Sequence, residues 1–237
     1  MVKFALLDAS IGETPVQRNF QRELPGDVAV FEASEGELPP EPEAFPSDAA
    51  VISGSQCSAY DDREWIANTE DWLRSAHSAG IPMLGVCWGH QLLAEALGGR
   101  VAEMGGRELG YRTVRRVGAS QLLSGVSRTF TAFETHTDAV VELPDDARVI
   151  ARNDAALQGF QLGQTYGVQF HPEYDLEAAR WVIEQKEIAA KEKREALETV
   201  SEDTHAAAAQ ARLVFENFRR VVSGERVCRI DPIRSHD

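Results

Sequence analysis

One junction constrains this chain more than any other. The apolar run Pro82-Met83-Leu84-Gly85-Val86 passes without a loop into residues 88–97, which have helical spacing and close at Gly98-Gly99. The switch falls within Gly85-Val86-Cys87-Trp88-Gly89. A strand that feeds directly into a helix is half of a strand–helix–strand unit, the building block of a parallel sheet. The preceding chain repeats the alternation. Residues 2–7 read as a buried strand closed by Asp8, 28–31 as a second, and 49–52 as a third that ends at Ser53-Gly54-Ser55. Residues 62–79 have helical spacing, with Trp65, Ile66, Trp72 and Leu73 on one side and Gly80 as the stop. The pattern predicts an α/β fold, a three-layer sandwich with a mostly parallel central sheet and helices on both faces.

The rhythm changes from residue 100 to residue 167. Short stretches such as Thr113-Val114, Ala139-Val140-Val141 and Arg148-Val149-Ile150 read as an antiparallel extension of the sheet. Residues 166–170 form a strand again and deliver His171. Residues 176–200 and 206–222 read as helical, and 184–198, rich in Glu, Lys and Ala, as a solvated helical face. The acidic, Pro-rich residues 34–47 read as a surface loop. With 237 residues and 43% hydrophobic content, one core suffices. The expected organisation is a single domain over 1–223, its C-terminal helices starting near 175, followed by an irregular tail, 224–237.

Charge narrows the function classes. The formal net charge is −14, and the basic residues are 20 Arg against 4 Lys. Such a chain lacks the clustered positive charge that nucleic-acid binding needs. The acidity favours solubility, and the Lys-poor balance resembles proteins of a halophilic, high-salt cytoplasm. Cys57, Cys87 and Cys228 are odd in number and widely spaced, so neither a disulfide framework nor a zinc site is expected, and a reducing, cytoplasmic setting fits. No signal peptide, membrane-spanning run or phosphate-binding loop is read, and no metal or cofactor is expected.

Cys87 is the candidate nucleophile. Gly-x-Cys-x-Gly between strand and helix is the thiol form of the nucleophile elbow, a sharp turn that projects the reactive atom from the sheet. Its position at a helix N-terminus favours the thiolate. A thiol also needs an oriented base. Of the six His, His205 and His236 lie in an Ala-rich helix and the tail, where exposure is expected, and His77 could cap its helix. His171 instead follows the apolar strand Gly167-Val168-Gln169-Phe170, at a strand end where a parallel sheet presents its site. Glu173, two residues on, can hold the imidazole in one tautomer.

The segments Gly85-Val86-Cys87-Trp88-Gly89-His90-Gln91-Leu92-Leu93-Ala94 and Gly167-Val168-Gln169-Phe170-His171-Pro172-Glu173 resemble the class I, triad-type glutamine amidotransferases, with a spacing of 84 residues from Cys87 to His171. The resemblance runs from about residue 2 to 181, and stand-alone GMP-synthase-like domains look most similar. It implies a flavodoxin-like domain that hydrolyses the γ-amide of L-glutamine through a Cys87–His171–Glu173 triad and a γ-glutamyl thioester. It further implies an oxyanion hole from the N–H groups of Gly54 and Trp88, and substrate binding by Gln91 and by the segment Glu134-Thr135-His136. Two motifs depart from the family. Relatives usually have Ser at the position of Glu134, and Ser-Gly-Gly-Pro where this chain has Ser53-Gly54-Ser55-Gln56. Cys57, in that loop, lies near the expected pocket and reads as a small filler rather than a redox or catalytic group.

Three readings stay open at this level. The first is a glutaminase that hands ammonia to a separate synthase chain, since these residues contain no synthase segment. The second is a γ-glutamyl hydrolase or peptidase using the same triad, towards which the altered loop and Glu134 lean. The third is a non-catalytic regulatory subunit, against which the intact triad argues. The C-terminal helices could pack on the core or mediate self-association into a homo-oligomer.

Overall fold

The computed structural model describes residues 1–225. Cys228 and His236 lie outside them. Among the described residues nine strands form one sheet in the order β2-β1-β3-β4-β9-β8-β7-β5-β6. The parallel half comprises β1 (Lys3–Asp8), β2 (Asp27–Glu32), β3 (Ala49–Ile52), β4 (Met83–Val86) and β9 (Thr165–Val168). Its strands are apolar on both faces because both faces are covered. Phe4, Leu6, Val51, Leu84 and Val168 pack on one side against Phe20 of α1 (Val16–Glu23) and Phe215 and Phe218 of α7 (Leu213–Val222). Ala5, Leu7, Ile52 and Met83 pack on the other against Trp72 and Leu73 of α2 (Glu64–Ser78) and Leu92 and Leu93 of α3 (Trp88–Ala96). The three-layer α/β sandwich is therefore the one expected from the alternation of strand and helix.

The antiparallel half is more extended than its short apolar stretches suggest. β5 (Arg100–Arg116) and β6 (Thr129–Glu142) form a long hairpin, bulged between Glu103 and Glu108. β7 (Arg148–Arg152) and β8 (Leu157–Leu162) link it to β9. Residues 176–200 are not one helix. α4 (Leu176–Gln185) stops, and α5 (Ala190–Glu198) begins after a turn. Both cover the hairpin, where Ala179, Ile183 and Ala196 meet Leu109, Tyr111 and Phe133. The last helical region starts earlier than expected, at α6 (Glu202–Ala207), which a Ser201–Thr204 capping box opens. It reaches α7 through a 3-10 stretch, Ala208–Arg212.

Helix α1 is absent from the sequence reading. It clamps the chain beyond β9: Arg22 Nη2 donates to the carbonyl of Glu173 at 2.5 Å, and Arg22 and Arg18 pair with Asp175, the N-cap of α4.

Candidate functional site

Cys87 N-caps α3 with φ 54° and ψ −107°, a left-handed backbone that costs a side-chain-bearing residue about 1–3 kcal/mol. Packing on both sides enforces it. The Cys87 N–H donates to Val168 O at 2.8 Å, continuing the β4–β9 register. The start of α3 presses so closely on the sheet that a Cβ on Gly85 would lie 2.3 Å from Gly89 O, and one on Gly89 2.4 Å from Ile52 O. Only glycine fits at either position, so the Gly-x-Cys-x-Gly spacing records a close approach of backbones.

His171 lies beyond the end of β9. Its N–H donates to Phe133 O at 2.8 Å, and its Nδ1 donates to Glu173 Oε1 at 2.6 Å. His171 and Glu173 are almost fully buried, and the Tyr174 ring lies against the imidazole at a centroid distance of 4.3 Å, tilted by 32°. Gly54 sits against both partners: a Cβ there would be 3.2 Å from His171 Cε1 and 3.8 Å from Cys87 Cβ. Nε2 of His171 has no hydrogen-bond partner among the described residues. Burial works against an imidazolium here, but the charges of Glu173 and Cys87 outweigh it and raise His171 to about 10. Burial likewise works against a thiolate, yet His171, then His136, hold Cys87 below the ordinary thiol value. Each group therefore favours the charged form of the other.

Gln169 also reaches the sulfur, a role the sequence reading leaves unassigned. Gln91 Nε2 donates to Asp138 O at 2.8 Å, which fixes that carboxamide because a carbonyl only accepts. The same Nε2 faces Gln169 Oε1 at 3.1 Å, leaving Gln169 Nε2 to donate to Cys87 Sγ at 3.7 Å. A donor at the sulfur favours its charged form.

A buried cluster adjoins this chain of amides. His136 Nδ1 donates to Asp138 O at 2.9 Å, while its Nε2 lies 3.2 Å from Glu108 Oε2 and 3.3 Å from Glu134 Oε2. Glu108 accepts from Asn153 Nδ2 at 2.7 Å and Gln158 Nε2 at 2.9 Å, the environment of a carboxylate. The three side chains offer ligand atoms within 4.8 Å of one another, close enough to hold a metal ion, although their spacing along the chain does not suggest it. With Nδ1 donating to a carbonyl and Nε2 facing two carboxyl groups, the setting favours an imidazolium, while burial holds Glu134 above the ordinary carboxylate range. Burial opposes that charge, but Glu108 and Glu134 raise His136 to about 10.

Trp88 occupies the first helical position of α3, so its N–H has no intrahelical acceptor. Gln91, Thr135 and His136 line a cavity of about 90 Å³ beside Cys87, together with Ser55, Gln56 and Asp138. Glu134 is fully buried and turned towards His136 rather than into the cavity. Cys57 lines the cavity too, in contact with Ser55 Oγ at 3.3 Å, and burial pushes its thiol up, so it stays protonated. Of the other histidines, burial takes His90 down to about 3, which leaves it neutral. His77 bonds Thr165 Oγ1 at 2.8 Å rather than capping its helix, and His205, expected to be exposed, is half-buried and bonded to Tyr111 OH at 2.9 Å.

The model of the family "Glutamine amidotransferase class-I" matches residues 9–189, most of the chain and both motifs. The chain belongs to the class-I glutamine amidotransferases. GMP synthase [glutamine-hydrolyzing] of Vibrio atlanticus is 36% identical over 132 residues, which cover 54% of this chain and 25% of the relative. The Vibrio cholerae enzyme of the same name is 37% identical over the same shares. The amidotransferase thus spans about a quarter of the length of these curated relatives. Its fold matches a glutamine amidotransferase from Thermotoga maritima (TM-score 0.72, 23% identity, 92% of this chain and 98% of that one). It also matches one from Methylobacillus flagellatus (TM-score 0.76, 22% identity, 100% and 98%). Among the described residues no helix of the amidotransferase is long and apolar enough to cross a membrane.

Proposed function

We propose that the chain hydrolyses the γ-amide of L-glutamine and supplies ammonia to a separate synthase chain. The observation that carries this reading is a thiolate-poised Cys87 on a strained elbow, beside a buried His171 oriented by Glu173. The Cys87 sulfur attacks the amide carbon, and its developing oxyanion is met by the N–H groups of Trp88 and Gly54. One such donor is worth about 3 kcal/mol of barrier. Nε2 of His171, free of other partners, delivers its proton to the departing nitrogen, and ammonia leaves with a γ-glutamyl thioester on Cys87. Nε2 then takes a proton from water, which attacks the thioester and releases glutamate and the thiolate. Glu173 keeps Nδ1 protonated throughout, so Nε2 is always the nitrogen that exchanges its proton. The test is ammonia release from glutamine by the chain alone and with candidate synthases. Release is expected from the wild type and none from Cys87→Ala; equal release from both would overturn the reading.

A second reading is hydrolysis of γ-glutamyl conjugates by the same steps, with an amine in place of ammonia. It is favoured by a second cavity, of about 50 Å³, on the side of Cys87 that reaches Pro15, Val16, Trp181 and Val182. A leaving group larger than ammonia finds apolar walls there.

A further inference from the structure

Lys186 is out of keeping with the rest of the chain. There are 38 acidic residues and 4 lysines, yet Lys186 makes no ion pair and no side-chain hydrogen bond among the described residues. Lys191 by contrast pairs with Glu195 at 3.7 Å, and Lys193 donates to Glu184 O at 2.8 Å. Lys186 is half-buried and lines both cavities that flank Cys87. Its placement follows from the break in the helical region. The Lys186 N–H donates to Ile183 O at 3.2 Å, while φ −68° and ψ 131° turn the chain out of α4 at this residue. A continuous helix over 176–200 would carry it along the helix axis instead. The other nearby cation, Arg107, is occupied by Glu192 at 2.8 Å.

An ammonium drawn partly out of water and paired with no carboxylate, with only the Cys87 charge acting in its favour, is a receptor for an anion. We propose that Lys186 forms an anion subsite of the cleft and binds a carboxylate of the substrate while Cys87 attacks its γ-carbonyl. The inference rests on Cys87 as the nucleophile. Two carboxylates can fill the role: the α-carboxylate of the γ-glutamyl group, or one on the departing amine of a γ-glutamyl amino acid. A lysine contributed by the junction of α4 and α5 makes substrate choice a property of the C-terminal helices. Burial lowers the Lys186 ammonium from its ordinary value, and a bound carboxylate would restore it.

Alkylation tests the subsite without requiring turnover. Iodoacetate and iodoacetamide attack the same sulfur and differ by a carboxylate, and peptide mass spectrometry reads the rate at Cys87 separately from that at Cys57. Lys186→Met is expected to lower the iodoacetate-to-iodoacetamide rate ratio about fivefold, Lys186→Glu to lower it further, and Lys186→Arg to keep it. A ratio unchanged in both Lys186→Met and Lys186→Glu overturns the subsite while leaving the nucleophile intact. A Cys87 inert to both reagents in the wild type overturns the nucleophile and the subsite with it. Substrate pairs identify the carboxylate. A rise in KM on Lys186→Met for glutamine but not for its α-amide assigns the α-carboxylate. A rise for γ-glutamylglycine but not for γ-glutamylmethylamide assigns the leaving group. No difference within either pair overturns the proposal.

Discussion

His171 Nδ1 lies 2.6 Å from Glu173 Oε1, a buried contact between residues separated by Pro172 alone. Two supports from distant segments hold it: Phe133 O accepts the His171 N–H, and Arg22 of α1 binds the carbonyl of Glu173. Replacing Glu173 by Gln keeps the shape and removes the charge. The expected result is a drop in kcat/KM of about 10²-fold or more, as a buried imidazolium loses its orienting anion. The measurement is steady-state ammonia release across pH. The alkaline limb, set by His171 at about 10 in the wild type, moves to lower pH in the variant.

Gln169→Leu removes the donor at the sulfur and leaves the Gln91 carboxamide without one of its acceptors. The pH dependence of iodoacetamide alkylation of Cys87 measures the consequence. The midpoint is expected to rise in the variant, because a thiolate loses a hydrogen bond, with reactivity at neutral pH falling about tenfold.

Gly89→Ala places a methyl group against the Ile52 carbonyl, a backbone atom that cannot move aside cheaply. Chemical denaturation is expected to show a loss of about 3 kcal/mol, with Cys87 alkylation impaired in whatever remains folded.

The Glu108–His136–Glu134 cluster makes stability fall as pH rises above neutral. His136 is held at about 10, above the value of about 6.5 it takes in an unfolded chain. Its contribution is complete below pH of about 6.5, where both states carry the proton, and is lost as pH rises towards 10 and only the folded state retains it. His171 acts in the same direction but is offset by Cys87, whose lowered thiol adds stability as pH rises. Denaturant midpoints are therefore expected to fall between neutral pH and 10, and Glu134→Gln to make that decline shallower. A decline as steep in the variant would contradict the paired imidazolium.

The parallel half of the sheet was legible because its strands are short continuous apolar runs, a signal that needs no knowledge of neighbours. Helix α1 was not, since Val16 and Phe20 are the apolar residues that anchor it in a charged octapeptide. The long hairpin was obscured by the bulge between Glu103 and Glu108, where Gly105-Gly106-Arg107 interrupt the apolar pattern and pairing with β6 resumes only at Glu108. The end of α4 carries neither Gly nor Pro, so the turn at Lys186 comes from packing. Cys87, His171 and Glu173 were readable because their motifs are local. Glu108 and Gln169 were not: one is brought to His136 by hairpin register, and the other is a polar residue at the end of a strand.

The central claim is that Cys87 is the nucleophile for a γ-glutamyl amide. Incubation with the glutamine analogue 6-diazo-5-oxo-L-norleucine, followed by intact-mass and peptide mass spectrometry, tests it most directly. The expected result is one adduct, mapped to Cys87, slowed by L-glutamine and absent from Cys87→Ala. An unmodified protein, or an adduct on Cys57 with Cys87 free, would contradict the account.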